Sequence, residues 1–121
     1  MATEIIGAVS SHIETLLGIQ VPVDRNIYIS DSNWNHMKTS HPADFLTYGH
    51  ELKNILSAPD YVGQNPSDES IEFVKEFCVN HEYVKVAVRL SKSDRYFARS
   101  LYVLNHNRVK NFIAKGTLKK T

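Results

Sequence analysis

Hydrophobic and polar residues alternate most regularly between Tyr83 and Leu104. Val84, Val86, Val88 and Leu90 interleave with Tyr83, Lys85, Ala87 and Arg89, while Phe97, Leu101 and Val103 interleave with Tyr96, Ala98, Ser100 and Tyr102. Successive side chains on a strand face opposite ways, so this spacing predicts two strands with one apolar side each. Ser91-Lys92-Ser93-Asp94 reads as a polar turn between them, which makes the pair an antiparallel hairpin. The polar positions of both strands then share one sheet face, which gathers Lys85, Arg89, Tyr96, Ser100 and Tyr102 around small alanines. Such a face reads either as the solvated outer side of an antiparallel sheet or as a surface for RNA.

The rest of the chain supplies layers for that hairpin. From Thr3 to Leu17 the positions Ile5, Ile6, Val9, Ile13, Leu16 and Leu17 fall on a helical stripe, and Gly18 is placed to end it. Asn26 to Ser30 is a short strand, after which Ser30 or Asp31 can cap a helix running to about Lys38. Trp34, Met37 and His41 share a face there. His41 precedes Pro42, so the chain is expected to turn at His41 and start a second helix on Pro42. The inner stripe of that helix is Phe45, Tyr48, Leu52, Ile55 and Leu56, with Gly49 marking a close packing point. Ser57 to Ser67 reads as an irregular loop. Glu69 to Val79 reads as a strand of ambiguous parity, with Ile71, Phe73, Phe77 and Lys75 on one side and Val74 and Cys78 on the other. Asn105 or Asn107 can cap a last short helix that Gly116 ends, and Lys115, Lys119 and Lys120 suit a helix C-terminus or a basic tail. Strands clustered after helices predict a single α+β domain over residues 1–121, with N-terminal helices packed on one face of an antiparallel sheet.

Composition narrows the function classes. The 121 residues carry a net charge of +1, so overall charge gives no broad grip on nucleic acid, and an RNA site has to come from local arrangement. Cys78 is the single cysteine, which excludes an intrachain disulfide; within an apolar strand it reads as a buried filler. No zinc motif and no glycine-rich phosphate loop occurs, so neither metal nor cofactor is expected. The first residues lack a signal-peptide pattern, and no apolar run reaches the roughly 20 residues of a membrane span. The expectation is action in the cytoplasm, away from a membrane.

RNA can be cut without metal when a base takes the ribose 2′-proton, an acid protonates the leaving oxygen, and cations stabilise the phosphate. His41, fixed at a helix junction, fits either such proton transfer or a hydrogen-bonded place in the core. Lys75 is a charge in an otherwise apolar strand. It reads as an edge residue reaching water or as a cation aimed into a cleft. Lys85 and Arg89 point the same way, with Arg89 suited to bidentate phosphate contact. Tyr96 or Tyr102 suits base stacking, and Ser100 suits a hydrogen bond to phosphate.

The runs IYISDSNWNHMKTSHPADF, APDYVG, SIEFVK and ARSLYVLN, spread over about Asn26 to Lys115, resemble the barnase–EndoU–colicin–RelE nuclease superfamily, above all its phage-associated and polymorphic-toxin branches. The resemblance implies N-terminal helices followed by an antiparallel sheet whose open face cleaves RNA without metal. It implies His41, Lys75 and Ser100 as catalytic positions with Tyr102 beside them, and an immunity protein or antitoxin as partner. Two departures stand out: the hairpin's polar face has no glutamate to act as base, and no late strand holds a histidine to act as acid. The reading is therefore a metal-independent endoribonuclease of a toxin or phage-encoded effector, with a non-catalytic RNA- or protein-binding module on the same scaffold as the alternative. One cleft is expected to collect His41, Lys75, Arg89 and Ser100, bordered by the PDYVG loop.

Overall fold

The computed structural model describes residues 3–121; the first two residues of the expected domain lie outside the described residues. The elements run β1 (Thr3–Ala8), α1 (Ser11–Leu17), β2 (Asn26–Ser30), α2 (Asp31–Ser40), α3 (Pro42–Tyr48), a 3-10 turn (Gly49–Glu51), α4 (Leu52–Ser57), β3 (Tyr61–Gln64), β4 (Ile71–Phe77), β5 (Glu82–Leu90), β6 (Tyr96–Leu104), α5 (His106–Ala114) and β7 (Leu118–Lys120). The strands form one seven-stranded sheet in the order β1-β2-β6-β5-β4-β3-β7. The fold is α+β as expected. The sheet is mixed, because β2 joins β6 in parallel while the other neighbours are antiparallel.

The helical starts follow from local chemistry. Ser10 accepts the Ile13 amide at 3.2 Å, so α1 begins only at Ser11. Ser30 and Asn33 close a reciprocal capping box that starts α2. Pro42 opens α3 directly after His41. The long second helix expected from Pro42 is broken at Gly49, where an added Cβ would meet the Phe45 ring at 3.1 Å.

Four expectations are corrected. The first half of the predicted N-terminal helix is the edge strand β1: Ile6 and the following Val9 are buried, and Gly7 lies close against Leu56. The predicted loop contains β3, where Gly63 allows the chain to lie against Thr117; a Cβ there would clash with the Thr117 carbonyl. Lys115 caps the C-terminus of α5 as expected, whereas Lys119 and Lys120 belong to β7, which extends the sheet beside β3. Cys78 is exposed, because β4 ends one residue earlier.

The main core lies between one sheet face and the helices that precede β3. Ile27, Ile29, Met37, Leu52, Ile55, Phe73, Val86, Val88 and Leu101 are fully enclosed there, with Trp34 and Phe45 packed against them. A smaller cluster occupies the opposite face, where Val109, Phe112 and Ile113 of α5 cover Val74, Leu104 and Leu118. This C-terminal helix covers one end of that face. Lys85, Ala87, Arg89 and Ser100 occupy its remainder.

Candidate active site

Strand register decides which side chains share the open face. Lys85 opposes Tyr102 and Ala87 opposes Ser100, but Val88 opposes Ala98, leaving Arg99 unpaired in a bulge. An extra residue reverses parity on one side of a bulge. Lys85, Arg89, Ser100 and Tyr102 therefore lie on the open face as the alternation predicts. Tyr96 does not. It sits on the core side of β6 at 5% exposure, beside Ala98 and Ile27, so the expectation that it stacks a base is corrected. Phe97 takes its place on the open face, opposite Arg89.

The next strand contributes a carboxylate that the hairpin lacks. Glu72 of β4 opposes Ala87, between that residue and Gly63 of β3. Its small neighbours leave room for the side chain across the floor of the face. Glu72 Oε2 accepts from Lys85 Nζ at 2.9 Å, with the two side chains 10% and 13% exposed. Burial by itself would lower the Lys85 pKa. The Tyr102 phenol and the Glu72 carboxylate outweigh burial and raise it, so the ammonium stays charged at neutral pH. Lys85 Nζ also lies 4.8 Å from the centre of the Tyr102 ring. The sequence signal for Glu72 was the parity of β4: once Ile71, Phe73 and Phe77 are assigned to the core, Glu72 has to face the other way.

His41 reaches this cluster from the helical side. Its ring stacks on Tyr102 with centroids 4.7 Å apart and planes 26° apart. The junction is held by Asp44, whose Oδ2 accepts the Val103 amide of β6 at 3.0 Å. That amide is free because β2 pairs with β6 only at Tyr96 and Phe97. Lys85 comes from β5 and His41 from beyond the other side of β6, so Tyr102 has a cation on one side and an imidazole on the other.

Lys75 departs from the expected convergence. It lies opposite Val84 on the core side of β4, and its Nζ donates to the Ala58 carbonyl at 2.8 Å, at the end of α4. A cation there satisfies a helix-terminal carbonyl. The PDYVG segment borders the site as expected, but as strand β3 rather than as a loop. Among the described residues, no group of three or more His, Cys, Asp or Glu side chains is placed to hold a metal ion, and no helix is long and apolar enough to cross a membrane.

A carboxylate, a phenol, a hydroxyl and two cations on one sheet face, with an imidazole at its edge, can exchange protons and bind a phosphate diester. Residues 4–111 match the model of a family described as phage-Barnase-EndoU-ColicinE5/D-RelE like nuclease3. No curated protein and no solved structure matches the chain.

Proposed function

Because the chain belongs to the phage-Barnase-EndoU-ColicinE5/D-RelE like nuclease family, we propose that it is a metal-independent endoribonuclease, acting as a toxin or phage-encoded effector. The observation that carries this reading is the meeting of Glu72, Lys85 and Tyr102, from three neighbouring strands, with His41 of the α2–α3 junction. The phosphate rests over Ala87 and Ser100, the two small residues between Lys85 and Arg89. Glu72 takes the proton of the ribose 2′-hydroxyl as that oxygen bonds to phosphorus. His41 gives a proton to the 5′-oxygen as its bond to phosphorus breaks. The products are a 2′,3′-cyclic phosphate and a 5′-hydroxyl. Lys85 and Arg89 hold the phosphate, with Ser100 donating to a non-bridging oxygen. Tyr102 fixes the imidazole and the ammonium relative to each other.

The test is cleavage of a labelled single-stranded RNA in EDTA by wild type, Glu72→Gln, His41→Asn and Ser100→Ala. The expected result is EDTA-resistant cleavage yielding cyclic phosphate ends. Its rate falls about 100-fold or more in the Glu72 and His41 variants and less in Ser100→Ala. Unchanged rates in Glu72→Gln and His41→Asn would overturn the assignment. RNA binding without cleavage by any form would identify a non-catalytic binding module instead.

A further inference from the structure

Beyond the acid–base groups, the same face carries aromatic side chains that bond cleavage does not use. Tyr28 of β2 and Phe97 of β6 are register partners, with ring centroids 5.9 Å apart and planes 37° apart. Phe97 is also the partner of Arg89 on β5. The Arg95 guanidinium lies 5.3 Å from the centre of the Tyr28 ring. The Tyr28 hydroxyl donates to Asp24 at 2.7 Å, which anchors that ring. Both rings are only partly buried.

The core does not account for this pair, since Ile27, Ile29 and Tyr96 of the same two strands fill the opposite side. Nor does α5, whose apolar contacts are with Val74, Leu104, Leu118 and their neighbours at the other end of the face. Along β5, Arg89 is two residues from Ala87, about 7 Å. A phosphate over Ala87 and Ser100 thus has its own or the next base within reach of Phe97. We propose that Phe97, backed by Tyr28, is the stacking platform for a base of single-stranded RNA beside the scissile phosphate, with Arg89 and Arg95 flanking the backbone. Every base has a π-face, so such a platform holds unpaired bases with little sequence preference, and a base locked in a duplex cannot reach it. This inference rests on the ribonuclease reading for the position of the phosphate, but its test does not require cleavage.

The probe is a 2′-O-methyl RNA hexamer, which lacks the attacking hydroxyl, together with versions carrying one abasic residue at each position in turn. Binding is read by fluorescence anisotropy with wild type, Phe97→Leu and Phe97→Tyr. Wild type should bind one of the abasic hexamers about tenfold more weakly than the parent. Phe97→Leu should bind the parent about tenfold more weakly and show no further loss with that abasic hexamer. Phe97→Tyr, which keeps a ring, should behave as wild type. Equal affinity of wild type for all the hexamers, or an undiminished abasic penalty in Phe97→Leu, would overturn the platform. The first of these needs no variant to fold. Cleavage of RNA with either outcome leaves the ribonuclease intact, and a Phe97-dependent penalty without cleavage leaves the platform intact.

Discussion

Replacing Lys85 by Met should separate what the Glu72–Lys85 pair does for the fold from what it does for chemistry. At 2.9 Å the gross attraction of two unit charges is about 6 kcal/mol at an effective dielectric near 20. Most of that is offset by the cost of drying both ions. Removing only Lys85 leaves the Glu72 carboxylate largely buried with no cation, a loss of about 3–5 kcal/mol. The lower end applies because both side chains keep about a tenth of their surface in water, at 10% and 13%. A loss of about 3 kcal/mol at roughly 4 °C each lowers the melting temperature by about 12 °C. Glu72→Leu combined with Lys85→Met replaces the pair by apolar groups of similar size and should return stability to within about 1 kcal/mol of wild type. The double variant should nevertheless remain without RNA cleavage. Urea unfolding followed through Trp34, which packs on the core and edge-on against Phe45, measures the first quantity, and gel cleavage the second. A double variant as unstable as Lys85→Met would refute the electrostatic account; a double variant that cleaves RNA would remove the pair from the mechanism.

Further outcomes follow from other parts of the structure. Gly63→Ala forces a methyl against the Thr117 carbonyl and should cost about 1–3 kcal/mol, read as a lower urea midpoint; an unchanged midpoint would show that β7 moves aside freely. RNA affinity should fall with salt at a log–log slope of about −2, since Lys85, Arg89 and Arg95 offer some three phosphate contacts; a slope near −8 in anisotropy titrations would mean that another basic surface dominates. Lys85 is raised above the ordinary lysine value of 10.5, so its ion pair contributes fully below that pH. The contribution disappears as pH rises through the higher folded value. The stability gap between wild type and Lys85→Met should therefore close as pH climbs past 10.5, and a constant gap in melting temperature would contradict this.

The hairpin and the starts of α2 and α3 were legible because their signals are local. Alternation in Val84–Leu90, the Ser30–Asn33 spacing and the His-Pro step at 41–42 each fix geometry within a few residues. The N-terminal segment was not legible for the opposite reason. Ile6 and Val9 suit a helical stripe, and only pairing with β2, about twenty residues later, makes the segment a strand. Phe97 and Tyr96 were exchanged because alternation assumes an unbroken ladder, and the residue left out at Arg99 reverses every side chain before it. Lys75 is anomalous in the sequence as a charge among apolar residues, and the Ala58 carbonyl to which it donates explains the anomaly.

The position of Glu72 is implicit in the sequence, but its partner is not. Core faces announce themselves through large apolar residues; a lone carboxylate between Ile71 and Phe73 looks like the ordinary wet side of a strand. Its significance depends on what lies across the ladder, and that depends on the register of β4 against β5. The same holds for His41. Its backbone was predictable from Pro42, but its meeting with Tyr102 requires an unpaired stretch of β6 that helix α3 can grip through Asp44. If the chain ran on beside β6 past Ser30 in the same register instead of capping α2, position 34 would reach Val103, its amide would be occupied and α3 would have no such anchor beside Tyr102. The short parallel contact between β2 and β6 is thus what lets a helical residue join a sheet-borne site. That ties the chemistry of this face to a feature of strand pairing rather than to any motif.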